Sequence, residues 1–239
     1  MPRSKKSQVV SLTAVKSRKK EGRREIIHTI KTAVDTYDYI WVYSVDNMRN
    51  QYLKKARREL STSRFLMGSN RVMAKALGTT VEEELKDNLH KVSAALVGDV
   101  GLLCTNQAVD EVKKVFDTFE MKDYARAGNI ASYRVVVPAG EVVRGFTKET
   151  FPNNMEPQLR ALGMHTRLKQ GKITIDNDYV ICEEGDKLTP NQSHLLKHFW
   201  EKMATFKIKL VAHWHQSGEF VELPADQDQA DATSDQDME

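Results

Sequence analysis

From about Glu21 to Phe119 helical apolar periods alternate with strand-like apolar runs, and that alternation argues for a layered α/β fold. Ile26, Ile27, Ile30 and Val34 recur at helical spacing, and YIWVYSV at residues 39–45 follows as a strand. Asp46 stands where it would cap the next helix, running to Leu60, on which Met48, Tyr52, Leu53, Ala56 and Leu60 share one arc. Phe65, Leu66 and Met67 predict a strand that stops at Gly68 and feeds a short helix, with Val72, Met73, Ala76 and Leu77 on one side. Thr80 with Glu83 at capping-box spacing predicts a further helix start, DVGLLCT at residues 99–105 another strand, and Val109, Val112, Val115 and Phe119 another helix.

After Tyr124 the texture changes. ARAGNIA, a Val135 to Val137 run closed by Pro138, a looser stretch with Pro152 and Pro157, and KITI and YVIC strands read as an inserted module. Thr189, Pro190 and Gln192 then form a capped start, with proline at the first helical position, for a helix through Leu195, Leu196 and Phe199. The last apolar run, KIKLVAHWH at residues 207–215, has no partner nearby in sequence and is expected to return to the first sheet. The predicted fold class is α/β, a mixed sheet with flanking helices interrupted by a smaller inserted α/β domain. Its expected parts are a basic arm (1–20), a discontinuous domain (21–122 and 203–223), an insertion (123–202) and an acidic disordered tail (224–239). The 40% hydrophobic content is enough for a core of this size.

Charge is segregated along this organisation. The formal net charge is +3, yet six of the 33 acidic residues lie beyond Pro224, where there is no Lys or Arg. The rest of the chain therefore holds all 36 basic residues against 27 acidic ones, an excess that favours a polyanionic partner. The first twenty residues carry Arg3, Lys5, Lys6, Lys16, Arg18, Lys19 and Lys20, and read as a mobile arm that orders on nucleic acid, or alternatively as a solvated tail or nuclear-import signal. They contain no apolar core of a signal peptide, and no later segment is apolar enough to span a bilayer, so a soluble protein is expected. Cys104 and Cys182 sit in apolar runs without metal-site spacing and are expected reduced and buried, which fits nucleus or cytosol.

Two groups of residues offer themselves to an anion. The corner RFLMGSNRVMAKAL (64–77) turns at Gly68, a residue that allows a sharp bend or close backbone approach; Ser69 or Asn70 can cap the helix beyond it, and Arg71 and Lys75, four apart, share a face of that helix. Cations beside a helix N-terminus suit phosphate. The preceding helix gathers Lys54, Arg57 and Arg58 opposite its apolar arc, a stripe that reads either as a solvated face or as part of the same contact surface.

DNMRNQYLKKARREL (46–60), LMGSNRVMAKAL, GDVGLLCT (98–105), ARAGNIA with VVVP (125–138), LGMHTRLKQGKITI and EGDKLTPNQSHLL together resemble the ribosomal stalk-base family, whose eukaryotic member is the acidic ribosomal protein P-zero. The resemblance runs in order from about residue 21 to 223. The opening MPRSKKS, DTYDYIWVYSVDNMR, KITIDNDYVICEEGDKL and the final DME are similar to the ribosome-assembly branch of that family. It implies a protein that binds large-subunit rRNA on precursor large ribosomal subunits, beside neighbouring ribosomal proteins, as a placeholder later replaced by P-zero. Arg57, Gly68, Asn70 and Lys75 fall on family positions, whereas Ser69 replaces the usual Lys and shifts weight to Arg71 and Lys75. The resemblance also implies release by a phosphatase-family factor, and residence in nucleolus and nucleus with shuttling to the cytoplasm. The tail offers acid without a Phe or Leu, so no recruitment of the small acidic stalk proteins is expected. No cofactor is implied. Within the binding class the alternative is a stalk-base protein of the mature ribosome.

An RNA-processing enzyme is the rival class, and the residues favour it less. GSNRVMAKA lacks the Gly-Lys-Ser/Thr ending of a phosphate-binding loop. Asp176 and Asp178 read as a surface turn rather than a metal site, and the pairs His194/His198 and His213/His215 each offer at most two ligands where zinc needs more. Trp41, Trp200 and Trp214 are expected in the core.

Overall fold

The computed structural model describes residues 20–145 and 148–224, so the expected basic arm, with Arg3 and Lys5, and the acidic tail from Ala225 lie outside the described residues. In chain order the elements are α1 (Lys20–Thr36), β1 (Tyr39–Asp46), α2 (Asn50–Glu59), β2 (Arg64–Leu66), α3 (Asn70–Leu77), α4 (Leu89–Ala94), β3 (Val100–Thr105), α5 (Val109–Thr118) and β4 (Glu120–Asp123). Next come β5 (Val135–Val137), β6 (Gly140–Glu141), β7 (Val143–Arg144), β8 (Glu149–Thr150), α6 (Glu156–Ala161), β9 (Thr166–Lys169), β10 (Lys172–Ile175) and β11 (Tyr179–Cys182). α7 (Pro190–His198), β12 (Ala204–His215) and β13 (Phe220–Glu222) complete the described chain. It divides into two compact units, the first taking the described part of Met1–Tyr43, Thr62–Gln107 and the part from Leu210, the second Ser44–Ser61 and Ala108–Lys209.

In the first unit the strand order is β13-β12-β1-β3-β2, so the long strand β12 does return beside β1. Phe65 of β2 stands opposite Leu103 of β3, and Trp214 of β12 opposite Phe220 of β13, both pairs antiparallel. β3 is buried throughout and β1 has no exposed residue, which is why both read as continuous apolar runs rather than alternating ones. One face takes Ile30 and Val34 of α1, Met73, Ala76 and Leu77 of α3, and Leu89 and Val92 of α4 against Ile40, Val42, Leu102 and Trp214. The other face carries an aromatic row, with Trp41 4.6 Å from the His213 ring and Tyr43 5.6 Å from Phe65. Gly101 makes room for that row: a Cβ there would lie 2.6 Å from the Tyr43 ring and 3.0 Å from the Leu66 carbonyl.

The second unit pairs the first residues of β12 with β4, Phe206 opposite Met121, and packs Phe206 against Tyr52 of α2 and Phe119 after α5. Its insertion holds a three-stranded sheet β6-β10-β9 and two two-stranded sheets, β11-β5 and β7-β8. Phe151, Leu159, Met164, Ile173, Ile181, Leu196 and Phe199 belong to its core. The expected cap of α7 is present: the Thr189 hydroxyl accepts the Gln192 N–H, the Gln192 side chain accepts the Thr189 N–H, and Pro190 occupies the first turn.

Three expectations about the elements are corrected. Asp46 caps nothing; it ends β1 and pairs with Lys209 at 3.1 Å, because the strand runs on and the chain turns through Asn47, at φ 50°, before α2 begins behind Arg49. Thr80 and Glu83 close a turn, with the Glu83 N–H on the Thr80 carbonyl at 3.1 Å, and the next helix starts only at Leu89. Its real cap is Glu84, whose carboxylate accepts the Asn88 and His90 N–H groups and lies 2.7 Å from His90 Nδ1. Trp200 is 42% exposed, unlike Trp41 and Trp214, because α7 ends with Phe199 turned inward against Phe151 and Trp200 is left in the left-handed region at φ 62°. The Arg144 guanidinium covers the Trp200 ring at 4.5 Å.

Candidate nucleic-acid interface

β2 and α3 build the corner. Phe65 is pinned in the sheet and Met73, Ala76 and Leu77 in the core, so the helix has one rotational setting, and that setting leaves Arg71 and Lys75 exposed one turn apart. Neither makes an ion pair with a described residue. Ser69 is the N-cap residue, exposed and without a side-chain capping bond, while the backbone N–H groups of Val72 and Met73 fall on its carbonyl at 2.8 and 3.0 Å. The Asn70 side-chain amide donates to the Gly98 carbonyl at 2.8 Å, tying the head of α3 to the loop before β3. One of its two amide donors is therefore engaged with the fold.

Gly68 does not have the left-handed conformation that would demand glycine. A Cβ there would meet Met73 Cγ at 3.6 Å and Ile26 Cγ2 at 3.7 Å, ordinary contacts. Neither a sharp bend nor a close backbone approach explains this residue; a groove of about 400 Å³ in the same unit is lined by Gly22, Ile26, Ile30, Leu66, Met67 and Met73 among others.

In the second unit α2 buries Leu53 and Ala56 and exposes Lys54, Arg57 and Arg58, which make no ion pair with a described residue. Arg57 and Arg58 lie in the last turn, where the helix dipole favours cations whatever else they do. Lys55, exposed beside them with its Nζ 5.5 Å from the Tyr52 ring centre, was not singled out from sequence, although it extends the same basic run. Arg126 and Lys197 also escaped notice, because only the fold brings residues so far apart in sequence to one cleft.

Several of the groups weighed for an enzyme have partners within the fold. Asp176 lies 3.0 Å from Arg167 and 3.1 Å from Lys169, whose hydrogen bond and charge, together with that of Arg167, hold its carboxyl below the usual range. Asp178 accepts the Ala139 N–H at 2.7 Å. His198 meets the Gln158 amide at 3.3 Å, and burial, then the neighbouring charges of His194, Lys197 and Arg144, lower its pKa. Both cysteines are free and buried, and burial pushes the Cys104 thiol up to about 12, far from a reactive thiolate at neutral pH. Among the described residues no three His, Cys, Asp or Glu side chains group as a metal site, and no helix is long and apolar enough to cross a membrane.

Residues 18–121 match the family model for ribosomal protein L10, and residues 125–200 match the model for the insertion domain in the 60S ribosomal protein of that family. The ribosome assembly factor mrt4 of Schizosaccharomyces pombe is 40% identical over 229 residues, covering 93% of this chain and 95% of that protein. Its namesake from Saccharomyces cerevisiae is 36% identical, covering 93% and 97%. The large ribosomal subunit protein uL10 of Neurospora crassa is more distant, 28% identical over 192 residues, covering 80% of this chain and 58% of that protein. The fold is accordingly the mixed α/β architecture of ribosomal L10 with its insertion, and the chain belongs to the family of ribosome assembly factors named Mrt4, a non-enzymatic relative of uL10.

Proposed function

We propose that this protein binds large-subunit rRNA at the stalk-base site of precursor large ribosomal subunits and holds that site until ribosomal protein P-zero replaces it. The observation that carries the reading is the pair Arg71 and Lys75, exposed and unpaired among described residues on a helix whose opposite face is locked in the core. A folded RNA is held mainly through phosphates and shape, so a fixed pair of cations at a rigid corner suits it, and reading of individual bases is secondary. Gly68 and Ser69 leave the approach to those cations free of bulk, and the Lys54, Arg57 and Arg58 stripe adds separate phosphate contacts. The arm with Arg3 and Lys5 contributes further charge.

In this reading residues 21–122 and 203–223 form the rRNA-binding domain and 123–202 the insertion. The protein works in nucleolus and nucleus, shuttles to the cytoplasm on precursor subunits beside neighbouring ribosomal proteins, is released by a phosphatase-family factor, and recruits no small acidic stalk proteins. The assembly-factor names of the relatives at 36% and 40% identity favour this over a stalk-base role in the mature ribosome.

Gly68→Glu tests the corner, because it sets a carboxylate beside Arg71. Gly68→Ala, for which there is room, is the control. Sedimentation of nuclear extracts should find wild type and Gly68→Ala in precursor large-subunit fractions and Gly68→Glu at the top of the gradient. Retention of a folded Gly68→Glu on precursor subunits overturns the corner as the RNA face, and wild-type protein in polysomes favours the mature role.

A further inference from the structure

We propose that a second phosphate-binding cleft lies wholly within the second unit, between the head of α2, the segment after β4 and the outer face of α7, and that it takes a phosphate of RNA. This rests on the reading of the protein as an RNA binder but assigns a new contact. The cleft, of about 380 Å³, is lined by Arg49, Arg126, His194, Lys197, Ser193 and Tyr124 among others. Asp123 is its one acidic lining residue and is already neutralised: Arg49 Nε lies 2.9 Å from its carboxylate, while another Arg49 nitrogen donates to the Tyr124 carbonyl at 2.6 Å. Arg49 is therefore a fixed strut. Arg126 and Lys197 remain, both exposed and without an ion pair to a described residue.

Ser193 gives the independent sign of a ligand. It is 8% exposed, it lines the cleft, and its Oγ is buried without any hydrogen-bond partner. Natural structures rarely leave a buried hydroxyl unpaired without a functional reason. The start of α7 supplies little of the attraction, since Pro190 has no N–H and the capping box occupies that of Gln192, leaving that of Asn191. What the cleft offers is a guanidinium fork, an ammonium and a hydroxyl, donors matched to an oxyanion with several acceptor oxygens. Tyr124 lines the cleft half-buried, with Lys202 Nζ 5.8 Å over its ring, and an aromatic ring among cations favours RNA over an acidic peptide, because a flanking base can stack on it.

Two-dimensional amide NMR of the full chain, titrated separately with inorganic phosphate, a uridine decanucleotide RNA and a polyglutamate decapeptide, tests this. Phosphate and RNA should shift the Arg126, Ser193 and His194 amides saturably. Ser193→Ala should weaken RNA at the cleft about ten-fold, as expected for a hydrogen bond to a charged group. Arg126→Ala with Lys197→Ala should abolish the cleft shifts and flatten the log K against log salt slope for the RNA by about 1.4. Absence of saturable shifts at the cleft overturns the inference, as does a peptide response equal to that of RNA. Arg71 and Lys75 amides report on the corner in the same spectra. Shifts there alone overturn only the cleft, and shifts at the cleft alone overturn only the corner.

Discussion

α2 and α3 are both short amphipathic helices that bury one face and expose a pair or triad of cations, yet Arg71 stands at the opposite end of its helix from Arg57 and Arg58, while Lys75 shares their place in the last turn. Arg57 and Arg58 occupy the last turn of α2, where the partial negative charge of unsatisfied carbonyls stabilises them, so folding alone accounts for their placement. Arg71 stands in the first turn of α3, where the same electrostatics oppose it by about 0.3–1 kcal/mol and where a Glu or Asp would serve the fold better. A residue kept against the preference of its own helix is stronger evidence of an external anion than one that the helix welcomes. Exposure and charge are alike in the two places; position along the axis sets Arg71 alone apart.

The comparison can be broken or sharpened by substitution. The largest effect belongs to the inner face: Met73→Ala, at a fully buried position, should cost about 2–5 kcal/mol in chemical denaturation, and a smaller loss would mean that α3 is not anchored as described. Next, Arg71→Ala with Lys75→Ala should leave the denaturation curve within about 0.5 kcal/mol of wild type. The salt slope for rRNA binding should fall by about 1.4–1.8, and an unchanged slope removes both residues from the interface. A smaller, sign-reversed pair comes third: Arg71→Glu should stabilise the fold and Arg58→Glu destabilise it, each by about 0.3–1 kcal/mol at low salt, measured by thermal melting. Equal signs would dissolve the distinction between the helices.

The subtlest effect is on pH dependence. Chiefly through its hydrogen bond with His90, and also through the backbone N–H groups of His90 and Asn88, Glu84 has its carboxyl below the usual carboxylate range. A folded pKa below the unfolded one gives stability that is present above the unfolded pKa and lost as pH falls through the folded one. Melting curves of wild type and Glu84→Gln should therefore differ at neutral pH and converge on acidification. Since α4 packs on α3, the loss should be felt at the corner first.

Long elements with a clear helical period or an unbroken apolar run were legible in the sequence: α1, β1, β3, α7 with its capping box, and the return of β12. So was the Arg71–Lys75 spacing, because four residues on a helix fix a shared face without any tertiary knowledge. α4, β4 and β13 escaped because three to six residues carry too little pattern, and their formation depends on neighbours. Thr80 and Glu83 satisfied a helix-start pattern that a turn satisfies equally well, while the true cap came from Glu84, whose side chain reaches forward to a later backbone. Trp200 misled because hydrophobicity says nothing of the left-handed step after a helix end. The Ser193 cleft is invisible in one dimension, since Arg126 and Lys197 meet only after the insertion folds.

The room that Gly101 leaves for the Tyr43 ring has a consequence for genetics. Any allele adding a side chain at that position drives carbon into an aromatic ring in the middle of the sheet, an injury of packing rather than of charge. Such an allele should present in cells as a failure of ribosome maturation, indistinguishable by growth from a lost RNA contact. Only protein abundance would tell them apart: the glycine allele would empty the cell of the factor, whereas a patch allele would leave it plentiful and unattached.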